Sequence, residues 1–391
     1  MLNDLEAIWW AGVRACLPER IVPAHLPEPP PGRTILLALG KAAVPMARAV
    51  EAHWPGNLTG LAVTRHGSAE PLPRVEVIEA AHPVPDQSSV AAAERLLAMA
   101  RSAGADDLVL VLLSGGASAL ACLPGDGLTL ADKQRVTTEL LQSGAPIAEI
   151  NCVRRHLSRF KGGRLAAAAA PARLVTLAIS DVLGDNPADI GSGPTVADPT
   201  NIADAQAVLR RYGVPPPLHG WSETEKQVTG EYRIIATSAD ALAAAADKAC
   251  RLGYRPVIFE CAGEAREVAA EHARLAVEAP PGTALISGGE LTVTVRGNGS
   301  GGPNHEYALA AALALRGTNI RGLAADTDGI DGNSHAAGAY SDGATVTDIA
   351  AAEAALAANN SAAYLASRQA LFVTGPTGTN VNDLRILLTP P

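Results

Sequence analysis

Two apolar runs of this chain end on the same three residues. "DLVLVLLSGGASAL" stops at Ser114-Gly115-Gly116, and "LISGGE" repeats the ending at Ser287-Gly288-Gly289, followed by Glu290. In an open α/β sheet, ligands bind beyond the carboxyl ends of the strands, and glycines there let ligand oxygens reach main-chain N–H groups that a Cβ would shield. If "ASALACL", which contains Ser118, begins a helix directly after Gly116, its first N–H groups and a partial charge of about +0.5 favour an anion at the same spot. A tight turn with glycines chosen for close packing is the competing reading; two copies of the pattern weaken it.

Other groups bear on the same chemistry. In "TILLALGKAAVPMA" the pair Gly40-Lys41 ends an apolar run. It is like the end of a phosphate-binding loop, but lacks that motif's earlier glycine and following Ser or Thr. Lysine is scarce, five against twenty-six arginines, and this one stands where a compact ammonium reaches a phosphate or simply faces solvent. From Ile150 to Ser180 there is no acidic residue, while Arg154, Arg155, Arg159, Lys161, Arg164 and Arg173 supply six cations. Read as a helix, "EINCVRRHLSRFKGGRLA" puts Arg155 and Arg159 on one face and Arg154, Ser158 and Lys161 on another, stopping at Gly162-Gly163. A solvated face would mix signs; this one does not, so anion binding is the stronger reading.

Two acidic loops follow further apolar runs. "ISDVLGDNPADIGSGPTVADPT" holds Asp181, Asp185, Asp189 and Asp198, and "AADTDGIDG" holds Asp326, Asp328 and Asp331. Neither has EF-hand spacing; turn formation is one explanation, and Mg²⁺ held by one or two carboxylates with phosphate oxygens, at Asp181 and Asp185, is the other. In "VRGNGSGGPNHEYALAAALAL", Gly297, Gly299 and Gly302 satisfy G-x-G-x-x-G. The preceding "ELTVTVRG" alternates polar and apolar residues, unlike the doubly buried first strand of a dinucleotide fold. A glycine loop that cradles phosphate explains the segment equally well. Asn304, His305 and Glu306 then fall on a first helical turn, with His305, like His82, His156 and His335, a surface residue or a ligand.

Composition bounds the rest. The 391 residues suggest two domains. With 48% hydrophobic, 18% charged and only 3% aromatic residues, the cores must be aliphatic. A net charge of −9 argues against an extended nucleic-acid surface. The amino end carries acids where an export signal needs bases, no apolar stretch spans a bilayer, and five scattered cysteines fit reduced thiols, so a cytoplasmic protein is expected. Homo-oligomerisation stays open.

The elements that must position these groups alternate short apolar runs with helical stretches, the pattern of βαβ units. Strands are predicted over 34–39, 61–64, 75–80, 108–113, 174–179, 234–236, 256–259, 284–287, 291–295 and 321–325. Helices are predicted to start at Asp86 or Ser88 and at Ser238. Prolines and polar residues over 212–230 mark a linker. The expected architecture is a Rossmann-like parallel-sheet domain over 1–225 and a smaller α/β domain with a mixed sheet over 226–391.

Taken in order, "LGKAA", "AHPVPD", "LLSGGASAL", "GLTLADK", "LLQSGAPIAEINCVRRHLSRFKGGRLA", "ISDVLGDNPADIGSGPT", "ISGGELTVTVRGNGSGG", "DTDGIDG" and "TGPTGTNVNDLRI" resemble the class II glycerate 2-kinase family, whose carboxyl part is often called MOFRL. The resemblance implies ATP-dependent, Mg²⁺-assisted phosphorylation of D-glycerate at its 2-hydroxyl, in a cleft between two α/β domains. It implies Lys41 as the catalytic cation, with Asp181, Arg154 and Arg155 beside it. Ser114, Gly115, Gly116, Ser118 and Lys161 are the expected nucleotide contacts, joined by Gly288, Gly289, Glu290, Gly299, Gly301, Asn304 and Asp326. One departure stands out. Where the family usually reads G-G-R-N-Q-E, this chain has Gly302-Pro303-Asn304-His305-Glu306, and Arg296 is the nearest substitute for the missing arginine. Some members carry the name hydroxypyruvate reductase, so an NAD(P)H-dependent reductase of hydroxypyruvate or tartronate semialdehyde is the alternative. It needs the 297–302 loop to hold a pyrophosphate, with Asp326 on the ribose.

Overall fold

The computed structural model describes residues 2–390. The chain forms two compact units, Pro18–Ile235 and, separately, the segment through Leu17 together with the chain from Ala236.

In the first unit, β1 (Thr34–Leu39), β2 (Leu58–Arg65), β3 (Val75–Ala80), β4 (Leu108–Leu113), β5 (Arg173–Ile179) and β6 (Glu231–Ala236) make one sheet in the order β3-β2-β1-β4-β5-β6. β1 pairs in parallel with β2 and β4, and β4 with β5. This is the doubly wound order, and it reverses between β1 and β4, where ligands of such sheets bind. Every residue of β1 and β4 is buried. Burial on both faces is why both read as unbroken apolar runs. Their side chains pack with Leu96, Leu97 and Phe160 in one core. The helix Gln87–Arg101 starts where the sequence asks it to, with Asp86 and Ser89 exchanging capping hydrogen bonds.

The second unit is built on β7 (Arg255–Glu260), β8 (Gly263–Glu264), β9 (Thr283–Gly288), β10 (Leu291–Thr292), β11 (Arg321–Asp326), β12 (Gly338–Asp342), β13 (Leu371–Phe372) and β14 (Asp383–Leu388). Six of them form a mixed sheet, β13-β12-β11-β14-β9-β7, in which only β7 and β9 run parallel; β8 and β10 pair apart. The helix Ser238–Arg251 is capped by Thr237, one residue before the expected Ser238.

Three expectations need correction. The first helix, Leu2–Ala15, belongs to the second unit, because Leu5, Ile8, Trp9 and Val13 enter a core with Leu242, Ala245 and Ile386. A Cβ on Gly12 would stand 2.9 Å from the Ala241 carbonyl oxygen, so glycine is what allows the two helices this approach. The boundary lies at 235/236 rather than 225/226, since β6 pairs into the first sheet. Residues 212–230 are no linker: Arg164 donates to the Ser222 and Glu223 carbonyls, and Glu225 exchanges backbone hydrogen bonds with Gly162 and Asp198.

His272 supplies a pH prediction. It is 4% exposed, and its Nδ1 lies 2.8 Å from the Tyr307 hydroxyl. Burial, with the Arg385 charge, pushes it down to about 4. The unfolded chain therefore takes up a proton that the native one refuses, and stability is lost as pH falls from about 6.5 toward 4. Thermal unfolding of His272→Gln should lack this acid-side loss, worth about 3 kcal/mol once pH is below 4.

Candidate active site

The carboxyl ends of β1 and β4 meet at the switch point. The register pairs Leu39 with Leu113, and β4 continues it by pairing Leu113 with Ala178 of β5. Lys41, Gly115 and Asp181 therefore leave adjacent strands at the same sheet edge. The two turns are fastened together: the Lys41 N–H donates to the Gly115 carbonyl at 2.8 Å, and the Ala42 N–H donates to Ser114 Oγ at 3.0 Å. Gly40 has φ 134, and a Cβ there would stand 2.1 Å from Ser114 Oγ. At Gly116, φ 84, a Cβ would meet His82 Cδ2 at 3.0 Å and Lys41 Cγ at 3.3 Å. This glycine thus keeps the lysine stem and the His82 ring in place over a bare turn. Gly116→Ala is expected to cost about 1–2 kcal/mol of stability in melting experiments and, by displacing Lys41, about tenfold in turnover. The helix after Gly116 is a single turn, Ala117–Leu120, so the edge carries the main chain of a short turn rather than a long helix dipole.

The cationic segment is helical over Ile147–His156 and again from Arg164; Ser158, Arg159 and Lys161 lie between the two helices, so the two predicted faces do not form. Arg155 is buried, with Nε on Asp198 at 2.8 Å and Nη1 on the Ala188 carbonyl at 3.0 Å. Burial opposes the Asp198 charge, yet the Thr200 hydroxyl and Arg155 hold its carboxyl below the ordinary range. The Lys161 ammonium donates to the Ser118 and Ala121 carbonyls, and burial pushes it down to about 7. Both cations are internal anchors, a correction to their expected ligand contacts. Arg154 is different. It is half-buried, and its Nη1 donates to Asn151 Oδ1 at 3.3 Å.

Asn151 was not singled out from sequence, nor was Ser192. Asn151 Nδ2 donates to Asp189 Oδ1 at 3.0 Å, while its Oδ1 also accepts from Ser192 Oγ at 3.2 Å. Ser192 Oγ lies 2.7 Å from Ser118 Oγ. Ser192 is fully buried at φ 61, between Gly191 and Gly193, both at φ 60. A left-handed serine costs about 1 kcal/mol relative to glycine. A G-S-G triplet after a strand was the available signal.

Of the acidic loop, Asp189 and Asp198 are engaged by Asn151, Asn186 and Arg155. Asp181 and Asp185 are half-buried, as is Asp189. Among the described residues no three His, Cys, Asp or Glu side chains gather to hold a metal by themselves. The donor set fits a hard cation that takes most of its oxygens from phosphate and water.

The candidates of the second unit have other tasks. Ser287-Gly288-Gly289 is sealed: Gly289, φ 87, has the Cys261 carbonyl oxygen 2.2 Å from where a Cβ would be, and Arg385 donates to the Gly288 and Gly289 carbonyls at 3.0 and 2.7 Å. Here the close-packing reading holds, and the sequence repeat is not a structural one. Glu290 is exposed. In the 296–302 loop, the N–H groups of Arg296 and Gly297 donate to Asn359 Oδ1, that of Gly299 to the Ala358 carbonyl, that of Ser300 to Asn360 Oδ1 and that of Gly301 to Asn333 Oδ1. Five of the donors that a pyrophosphate could use are thus already engaged within the protein. Asn304 is buried against Asp331 and Asp383, and Asp326 ends a strand that is antiparallel to both neighbours and accepts the Asp328 N–H. Neither arrangement is that of a dinucleotide fold.

A doubly wound sheet whose switch point fastens a lysine turn onto a glycine turn defines the class of α/β protein whose ligands bind at that edge. The chain matches a domain of unknown function (DUF4147) over residues 4–220 and the MOFRL family over 283–383. A D-glycerate 2-kinase of Thermotoga maritima is 40% identical over 96% of this chain and 95% of its own length. A protein of Agrobacterium vitis, whose name assigns it provisionally to hydroxypyruvate reductase, is 46% identical over 98% of this chain and 93% of its own. The crystal structure of a glycerate kinase from Thermotoga maritima is similar with a TM-score of 0.87 at 38% identity, covering 99% of each chain. This chain belongs to the class II glycerate 2-kinase family. No helix among the described residues is long and apolar enough to cross a membrane.

Proposed function

We propose that this protein transfers the terminal phosphoryl group of ATP to the 2-hydroxyl of D-glycerate. The observation that carries the reading is the fastening of the Gly40-Lys41 turn onto Ser114-Gly115-Gly116 at the sheet's switch point, in a chain 40% identical to a D-glycerate 2-kinase. Phosphoryl transfer asks a protein mainly for position and for neutralisation of spreading charge. The glycine turn offers main chain to phosphate oxygens, and Lys41 brings an ammonium to the transferring group. Arg154 is the cation of its segment left to fork onto a carboxylate. Asp181, on the same edge, accepts the proton of the attacking hydroxyl. Mg²⁺, held by Asp185 with Asp181, would supply further neutralisation of the phosphates.

The reductase reading finds no support in the 296–302 loop, where the N–H groups of Arg296, Gly297, Gly299, Ser300 and Gly301 are engaged within the protein. The test has two arms. Purified protein with D-glycerate and ATP should yield 2-phosphoglycerate, resolved from 3-phosphoglycerate by NMR; with hydroxypyruvate and NADH the nicotinamide absorbance should stay constant. The opposite pattern replaces the kinase by the reductase.

A further inference from the structure

The hydrogen bonds around Asn151 have a direction. Its Nδ2 faces the Asp189 carboxylate, and its Oδ1 faces the Arg154 guanidinium. Reversing the amide would set NH₂ against a cation and oxygen against a carboxylate, so the orientation is determined from both sides. The same Oδ1 then takes the single proton of Ser192, 3.2 Å away. A hydroxyl has one proton, so the 2.7 Å contact between Ser192 and Ser118 is made with the proton of Ser118. What Ser118 turns outward is lone pairs. Its main chain is held as well, by Lys161 on the Ser118 carbonyl at 2.9 Å.

We infer that Asn151 and Ser192 preset Ser118 as a hydrogen-bond acceptor for a non-reacting hydroxyl of the acceptor substrate, making Ser192 a positioning residue for substrate choice. The inference rests on the kinase reading above. Ser118 is half-buried and reachable, as is Arg154, and one amide oxygen binds Arg154 and Ser192 alike. A fixed fork of donors and a fixed acceptor, tied to one amide, match a small hydroxy acid: carboxylate on Arg154, hydroxyl on Ser118. The reacting hydroxyl surrenders its proton to a carboxylate, so the hydroxyl that Ser118 accepts from is the one on C3. A phosphate oxygen has no proton to give, so the chain of donors argues against Ser118 as a phosphate contact and for a hydroxyl as its partner. The buried left-handed φ 61 of Ser192, where glycine fits freely on both sides, agrees with a hydroxyl retained for its hydrogen bonds.

The test compares D-glycerate with D-lactate, which lacks the C3 hydroxyl, in wild type, Ser118→Ala and Ser192→Gly. Glycine suits φ 61, so the second variant keeps its fold, checked by melting temperature. The readout is the ratio of the D-lactate inhibition constant to the D-glycerate KM. It should fall about tenfold in Ser118→Ala and about threefold in Ser192→Gly, each hydrogen bond being modest, chiefly through a higher D-glycerate KM with kcat less affected. An unchanged ratio in both variants overturns the inference, and a fall in Ser118→Ala alone overturns the role of Ser192. Absence of phosphoglycerate from wild type would instead remove the kinase reading.

Discussion

Lys41→Ala is expected to lower kcat for D-glycerate phosphorylation by about 10²–10³, the loss of roughly 3–4 kcal/mol of transition-state stabilisation. The backbone geometry says why the loss should be catalytic. Lys41 holds its place through its main-chain N–H on Gly115, an interaction alanine retains, and its stem lies against Gly116. The turn survives the substitution while the ammonium does not. Melting temperature should stay near wild type and the KM values should move less than kcat. Lys41→Arg should recover little, because a planar fork that spreads its charge over three nitrogens does not place a point charge at the same spot. Wild-type kcat in Lys41→Ala would exclude the lysine from the reaction.

Legibility in the sequence followed burial. β1 and β4 are buried on both faces, so their apolar runs carried the right boundaries, and with them the two turns that meet at the switch point. β14 was missed although all six of its residues are buried, because Arg385 in "DLRILL" interrupts the apolar pattern. The first helix was assigned to the nearer domain in sequence, yet its apolar face completes a core with residues more than two hundred positions away. Periodicity shows that a face must be covered; it does not name the cover.

The site divides in the same way. Residue type revealed where anions and cations concentrate, and topology turns that into the shared edge of Lys41, Gly115 and Asp181. Which cation is spent internally depends on partners distant in sequence. Arg154 and Arg155 are neighbours, but only Arg155 reaches Asp198 and the Ala188 carbonyl. The two Ser-Gly-Gly endings are alike in sequence and opposite in use, because only the second lies beneath a buried guanidinium. Asn333, Asn359 and Asn360 satisfy the 296–302 loop from elsewhere in the chain, so a glycine pattern that suggested an open cradle became a tied loop.

That buried guanidinium is where the largest loss of stability is expected. Arg385 is 1% exposed; its Nη1 lies 3.0 Å from Asp383 Oδ2, its Nη2 reaches the carbonyls of Gly288 and Gly289, and its Cζ stands 5.7 Å over the Tyr307 ring. Arg385→Ala leaves the Asp383 charge buried without its cation and takes from the Gly289 carbonyl its donor, while the Gly288 carbonyl keeps the Cys261 N–H, a loss of about 3–5 kcal/mol. For a unit of this size the melting temperature should fall by roughly 10 °C. Adding Asp383→Asn should return part of that, since it removes the stranded charge while the Asn304 contact to that side chain can persist. The pH response separates this cause from simple loss of packing. Burial already pushes the Asp383 carboxyl up despite Arg385. A folded value above the unfolded one means that proton uptake favours the native state, and that this contribution is lost as pH rises through the folded value. Without the guanidinium the carboxyl should rise further, so the gap in stability between wild type and Arg385→Ala should narrow on acidification. A gap that stays constant with pH would instead point to lost packing over Tyr307.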